Sequence, residues 1–143
     1  IYTRSRADYQ IDYRSVNGHE NEWFVSADIH LQSGNGEQAA QQVKQLLKKR
    51  SETQPTGLPS CGSVFKTPPG DYSARLIEAS GLKGFSIGDA VVSEKHANFI
   101  INAGQAKAAD VEALMLHIQQ TVNDKFNVQL QSEVKIVGRY SND

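Results

Sequence analysis

The chain has little cysteine, methionine or tryptophan, one of each, and only four prolines among its 143 residues. A single cysteine excludes an internal disulfide and fits a reducing compartment. No run of about 18 apolar residues and no signal-like segment occurs, so no membrane-spanning helix is expected and a cytoplasmic location is. Charge of one sign is also missing. The 15 basic and 16 acidic residues leave a net charge of −1, which excludes a broad field for nucleic acid or a membrane surface and makes any anion site local. No internal repeat, low-complexity tract or metal-ligand spacing is found. No G-x-G-x-x-G or comparable phosphate cradle is present either, and Gly34-Asn35-Gly36 reads as a turn. The length allows one domain or two small lobes. Because residue 1 is Ile1 and not methionine, a fragment or a processed chain is expected.

What is present concentrates in Pro59-Ser60-Cys61-Gly62-Ser63-Val64-Phe65-Lys66-Thr67-Pro68-Pro69-Gly70. The prolines and terminal glycine forbid regular structure at its end, and Gly62 lets a backbone or ligand approach Ser63 with no Cβ in the way. The Cys61 thiol, Lys66 ammonium and Thr67 hydroxyl nearby suit an anionic ligand. An ordinary Ser/Pro/Gly loop has the same composition. Around it, Trp23 to Gln32 alternates apolar and polar residues, which predicts a strand with one buried face. Glu37 to Arg50 predicts a helix with Ala40, Val43, Leu46 and Leu47 on one side and Lys48-Lys49-Arg50 at the negative end of its dipole. Ser51 to Pro59 reads as a linker. Tyr72 to Ser80 predicts a short helix with Leu76 and Ile77 inward and Gly81 as its stop. A strand from Ala90 through Asn102, interrupted by Ser93-Glu94-Lys95-His96, should follow. Asp110 to Phe126 is the clearest helix, with Asp110 as N-cap and Val111, Leu114, Met115, Ile118, Val122 and Phe126 at helical steps. Val128 to Gly138 alternates again and predicts a final strand.

Three ordered blocks carry a resemblance. Pro59 to Gly70, then Arg75-Leu76-Ile77-Glu78-Ala79-Ser80-Gly81-Leu82-Lys83-Gly84, then Val92-Ser93-Glu94-Lys95-His96-Ala97-Asn98-Phe99-Ile100 resemble the C-terminal half of the UDP-N-acetylenolpyruvoylglucosamine reductases, the MurB flavoproteins of peptidoglycan precursor synthesis. Tyr13-Arg14-Ser15 resembles that family's Tyr-Arg pair, although Val16 stands where a serine is usual. Glu133-Val134-Lys135-Ile136-Val137-Gly138 resembles its closing motif. The segment between Arg14 and Ser63 is short, which matches the variety without a substrate-closing tyrosine insertion.

The resemblance implies an α+β chain: the end of an FAD-binding α/β domain over 1–54, a small α/β substrate-binding domain over 55–126, and a C-terminal strand over 127–143 returning to the flavin lobe. It implies FAD and NADPH as cofactors and UDP-N-acetylglucosamine enolpyruvate as substrate. Arg14, Ser63 and Glu133 inherit catalytic roles, with Tyr13 and Gly62 beside the flavin. Lys66, Thr67, Lys95, His96 and Asn98 become candidates for lining the substrate cleft. At Thr67 many members carry asparagine, and a hydroxyl cannot reproduce the amide's donor and acceptor pair. The upstream flavin-binding segment is expected to be absent, removed or supplied by another chain. Two other readings stand beside this one: a cysteine hydrolase pairing Cys61 with His96, and a noncatalytic fragment that binds a UDP-sugar.

Overall fold

A computed structural model describes residues 1–138, and the chain clusters into two compact units, Ile1–Asn35 and Gly36–Asp143. In the first unit, a single 3-10 turn at Arg6–Asp8 leads into the antiparallel pair β1 (Gln10–Asp12) and β2 (Ser15–Asn17). Asp12 faces Ser15, so Tyr13 and Arg14 form the two-residue tip of this hairpin. An Arg4–Glu22 ion pair and a tilted contact between the Tyr9 and Phe24 rings tie the strand pair to the residues that follow it.

The strand expected over Trp23 to Gln32 does not form. That stretch is irregular and exposed, with Trp23 at 82% and Leu31 at 85%. Alternation shows that a segment can bury one face, but a strand also needs a neighbour for its N–H and C=O groups. Among the described residues none pairs with it.

The second unit opens with α1 (Gly36–Thr53), longer at both ends than the expected helix and reaching into the expected linker. Its apolar stripe of Val43, Leu46 and Leu47 is exposed. A four-stranded antiparallel sheet follows, ordered β3-β6-β5-β4, from β3 (Ser60–Ser63), β4 (Ser86–Ile87), β5 (Ala90–Val92) and β6 (Phe99–Asn102). The single interrupted strand expected over Ala90 to Asn102 is therefore two strands folded back on each other, Val92 opposite Ile100. Its polar interruption is a turn. The Ser93 hydroxyl accepts the N–H groups of Lys95 and His96 at 3.2 and 3.3 Å, a side-chain turn of the kind serine favours.

Two helices supply the rest of the core. Helix α2 (Ser73–Ala79) buries Leu76 and Ile77 as its spacing predicts. It stops in a Schellman motif: Gly81, at φ 78°, donates to the Glu78 carbonyl, and Leu82 donates to the Ile77 carbonyl. Lys125 of the next helix donates to the Ser80 carbonyl at 2.7 Å, a cation at the negative end of α2. Helix α3 (Ala108–Phe126) buries Leu114, Met115, Ile118 and Val122, and Met115 is core filler as its position on the stripe predicts. Its N-cap is Lys107 and not Asp110. Asp110 sits three residues later and its carboxylate accepts the Lys107 N–H at 2.8 Å, the reciprocal half of a capping box.

The final strand expected over Val128 to Gly138 is reduced to one antiparallel bridge, Ser132 to Phe65. Leu130 nevertheless enters the core at 1% exposure, and Gln119 of α3 donates to its carbonyl at 2.8 Å. Val134 packs against the core, whereas Ile136 and Val137 are exposed. The last residues of the expected 127–143 segment lie outside the described residues.

Candidate active site

Strand β3 changes register between Ser60 and Ser63, and Gly62 at φ 80° takes the left-handed conformation that the irregularity requires. No heavy atom lies within 4 Å of where a Cβ on Gly62 would sit, so the approach beside Ser63 is open. Ser63 is half-buried and pairs with Phe99 of β6.

Just beyond Ser63 the chain is gripped from both sides. On one side the Asn98 amide clasps Phe65: its Oδ1 accepts the Phe65 N–H at 3.0 Å, and its Nδ2 donates to the Phe65 carbonyl at 2.8 Å. The Asn98 main-chain carbonyl also accepts the Val64 N–H at 2.9 Å. On the other side lies the C-terminal segment. The Glu133 N–H donates to the Val64 carbonyl at 2.8 Å, and Lys66 donates to the Gln131 carbonyl at 2.9 Å. Two of the expected catalytic positions, far apart in sequence, are thus joined through the residue that follows Ser63. Glu133 is half-buried, with its Oε2 shielded from solvent.

Arg14 belongs to the first unit. It is exposed, has φ 54°, and its guanidinium carbon lies 5.7 Å from the centre of the Tyr13 ring. A non-glycine residue in the left-handed region is uncommon and costs about 1–2 kcal/mol, a conformation that recurs at functional turns. Lys66 is half-buried and its carbonyl accepts the Ser73 hydroxyl at 2.6 Å; Thr67 is exposed.

The third expected cluster has other engagements. The Lys95 ammonium donates to the Ser51 carbonyl in the last turn of α1, where a cation offsets the helix dipole. His96 Nδ1 accepts the Asn98 N–H at 3.3 Å, and its ring meets Phe99 edge to face at 4.9 Å. Burial, more than the nearby Lys83 charge, pushes the imidazole below its ordinary value, so the neutral form is favoured. Asn98 is 7% exposed and directs its amide at Phe65. These three side chains spend observed contacts on the lobe itself. The expectation that they line a cleft did not anticipate that use; the signal for Asn98 was an amide set between Ala97 and the apolar Phe99-Ile100-Ile101.

Cys61 is solvent-accessible, yet local desolvation raises its thiol above the ordinary range. A nucleophilic cysteine needs the opposite shift. No group of three or more His, Cys, Asp or Glu that could hold a metal ion occurs among the described residues.

Residues 54–137 match the model of the C-terminal domain of UDP-N-acetylenolpyruvoylglucosamine reductase. The chain is 51% identical over 135 residues to the UDP-N-acetylenolpyruvoylglucosamine reductase of Methylococcus capsulatus, covering 94% of this chain and 44% of that one. It is 52% identical over 139 residues to the Legionella pneumophila protein of the same name, covering 96% and 45%. The crystal structure of the Thermus caldophilus reductase (MurB) superposes with a TM-score of 0.64 at 36% identity, over 74% of this chain and 37% of that one. The chain thus spans under half the length of the curated relatives it matches. The α+β fold, the family model and the relatives agree: the chain belongs to the UDP-N-acetylenolpyruvoylglucosamine reductase family.

Proposed function

We propose that this chain supplies the substrate-reducing residues of a flavin-dependent UDP-N-acetylenolpyruvoylglucosamine reductase in peptidoglycan precursor synthesis. The observation that carries the reading is the bond from the Glu133 N–H to the Val64 carbonyl at 2.8 Å, which brings the closing motif against the residue after Ser63. The names of the relatives supply the substrate class.

The reaction adds a hydride and a proton across the enolpyruvyl double bond and yields UDP-N-acetylmuramate. When bound and reduced by NADPH, FAD would supply the hydride that adds at C3. Electron density then moves toward C2 and the adjoining carboxylate, and the chain's residues manage that charge. Arg14 holds the carboxylate through two parallel hydrogen bonds, and its planar guanidinium stabilises the enolate as charge grows. Glu133 holds a proton shared with the enol oxygen, which lowers the same barrier. Ser63 protonates C2. A hydroxyl is a weak acid, so its alkoxide regains the proton from water or from the Lys66 ammonium nearby in sequence. Thr67 offers one hydrogen bond to the sugar nucleotide.

The residues present fit the reactive edge of a flavin. In the second unit, Gly62 leaves open the space that a side chain would fill. In the first unit, taken by itself, Tyr13 and Arg14 present a ring and a cation on one turn. Location in the cytoplasm follows from the nucleotide-sugar substrate.

The test uses a full-length chimaera in which this chain replaces the matching part of the Methylococcus capsulatus relative. NADPH oxidation that depends on UDP-N-acetylglucosamine enolpyruvate is expected. Ser63→Ala should leave flavin reduction by NADPH within about twofold and slow product formation by at least about a hundredfold, the lower range for a lost proton donor. Equal slowing of both half-reactions would refute the role of Ser63. Substrate binding without any reduction would favour a noncatalytic UDP-sugar-binding role.

A further inference from the structure

Asn98 is nearly fully buried, and both ends of its amide are spent on the main chain of one residue, Phe65. A side chain used in this way replaces a missing strand partner. Beyond Ser63 the regular ladder with β6 ends, and the Phe65 N–H and carbonyl would otherwise be buried without partners. The two faces of this segment are used by different neighbours. Phe65 offers its polar groups to Asn98, while the Val64 carbonyl and Lys66 N–H flanking it bind Glu133 and Gln131.

We propose that Asn98 is a positioning residue that sets the spacing between the Ser63 hydroxyl and the Glu133 carboxylate. This rests on the reductase reading above. The chain of contacts is short: Asn98 fixes Phe65, Phe65 is contiguous with Val64, and Val64 carries Glu133. A methylene-scale displacement of Phe65 moves both candidate catalytic groups relative to one another, and misplacement of about 1 Å can cost about a hundredfold in rate. A substrate-lining role would instead require the amide to turn away from Phe65 and expose it. Because the bonds run to main-chain atoms, the side chain of residue 65 does not decide the effect, whereas the length and both polar ends of the residue 98 side chain do.

Two measurements separate positioning from general stability. The first is amide hydrogen exchange on the 143-residue chain, comparing Asn98→Ala with Val122→Ala, which opens the core from α3 and leaves both clamp hydrogen bonds chemically intact. Asn98→Ala should speed exchange at Phe65 and Glu133 at least tenfold relative to the α3 amides, whereas Val122→Ala should shift all of them together. The second uses the chimaera with Asn98→Gln, which keeps both polar ends and lengthens the side chain by one methylene. Its kcat should fall at least tenfold, with KM within threefold and flavin reduction by NADPH within twofold. Identical exchange patterns for Asn98→Ala and Val122→Ala, or an Asn98→Gln enzyme that loses only substrate affinity, would overturn the proposal. If the parent chimaera does not reduce the substrate, the reductase reading fails, and the exchange comparison still decides whether Asn98 couples residue 65 to residue 133.

Discussion

Replacing Leu130 with alanine should destabilise the 36–143 unit by about 2–5 kcal/mol, the range for a buried leucine that leaves a cavity. Leu130 is 1% exposed and shares the core with Val64, Phe65, Leu114 and Ile118, which come from β3's extension and α3. Removal of its side chain forfeits roughly 1.5–3 kcal/mol of transfer free energy. The rest comes from the cavity, because the main chain there is pinned. The Gln119 side-chain amide donates to the Leu130 carbonyl at 2.8 Å and the Lys66 main-chain N–H donates to the Gln131 carbonyl at 2.9 Å, so the segment cannot sink inward to fill the space. Against a total margin of about 5–15 kcal/mol this is a large loss. With a urea dependence of about 1.5 kcal/mol/M, the midpoint should fall by roughly 1–3 M at unchanged slope. Ile136→Ala is the matched control: at 63% exposure it should change stability by no more than about 0.5 kcal/mol. A Leu130→Ala loss below about 1 kcal/mol, or equal losses for the two variants, would refute the docking of this segment on its own unit.

Three further outcomes follow from particular contacts. Cys61→Ser should retain substantial activity in the chimaera, because desolvation raises the thiol and disfavours a thiolate; loss of activity with the fold and flavin content intact would restore a thiol mechanism. Gly62→Ala should cost about 1–2 kcal/mol in thermal stability through its φ of 80° alone, since no atom stands where the methyl would go; a much larger loss would mean the space is filled. Asp71 is held at about 2 by the hydrogen bonds from Arg75 and then by the Tyr72 N–H. A carboxylate depressed in the folded state stabilises above its ordinary value near 4 and ceases to do so as pH falls through about 2. Asp71→Asn should therefore flatten the acid limb of a stability-against-pH curve between roughly 4 and 2, and an unchanged limb would show the exposed pair to be inconsequential.

The elements legible in the sequence were those whose determinants are local. Helix α3 has a long apolar stripe, and α2 has Leu76-Ile77 followed by a glycine that closes a Schellman motif. Both stripes are buried by neighbours in the same unit. Helix α1 was equally legible as a helix, but its stripe is exposed, so periodicity located the element and not its partner. Trp23 to Gln32 shows the stronger form of this limit. Helical hydrogen bonds close within the segment, whereas a strand must find another, and alternation alone cannot create one. The β5–β6 turn was hidden for a different reason: it has neither glycine nor proline, and Ser93 makes it with a side-chain oxygen.

The site divides along the same line. Ser63 and Glu133 are catalytic candidates through the family's motifs, and the structure adds a main-chain link between their segments that motifs do not contain. Leu130 explains why Glu133 can reach Val64 at all. Its side chain is anchored in the core three residues before the glutamate, so the chain arrives beside Phe65 with little freedom left, and the Ser132 bridge fixes its register. The anchoring residue is apolar and the joining bonds are main-chain, so neither has a chemical signature in the sequence. Asn98 has one, a buried amide, but the identity of its partner depends on a β3 register shift that Gly62 permits. A residue's chemistry can be read from its type, and here its placement follows from core packing some residues away: Leu130 for the glutamate, Phe65 for the serine, and the turn made by Ser93 for the asparagine that holds them.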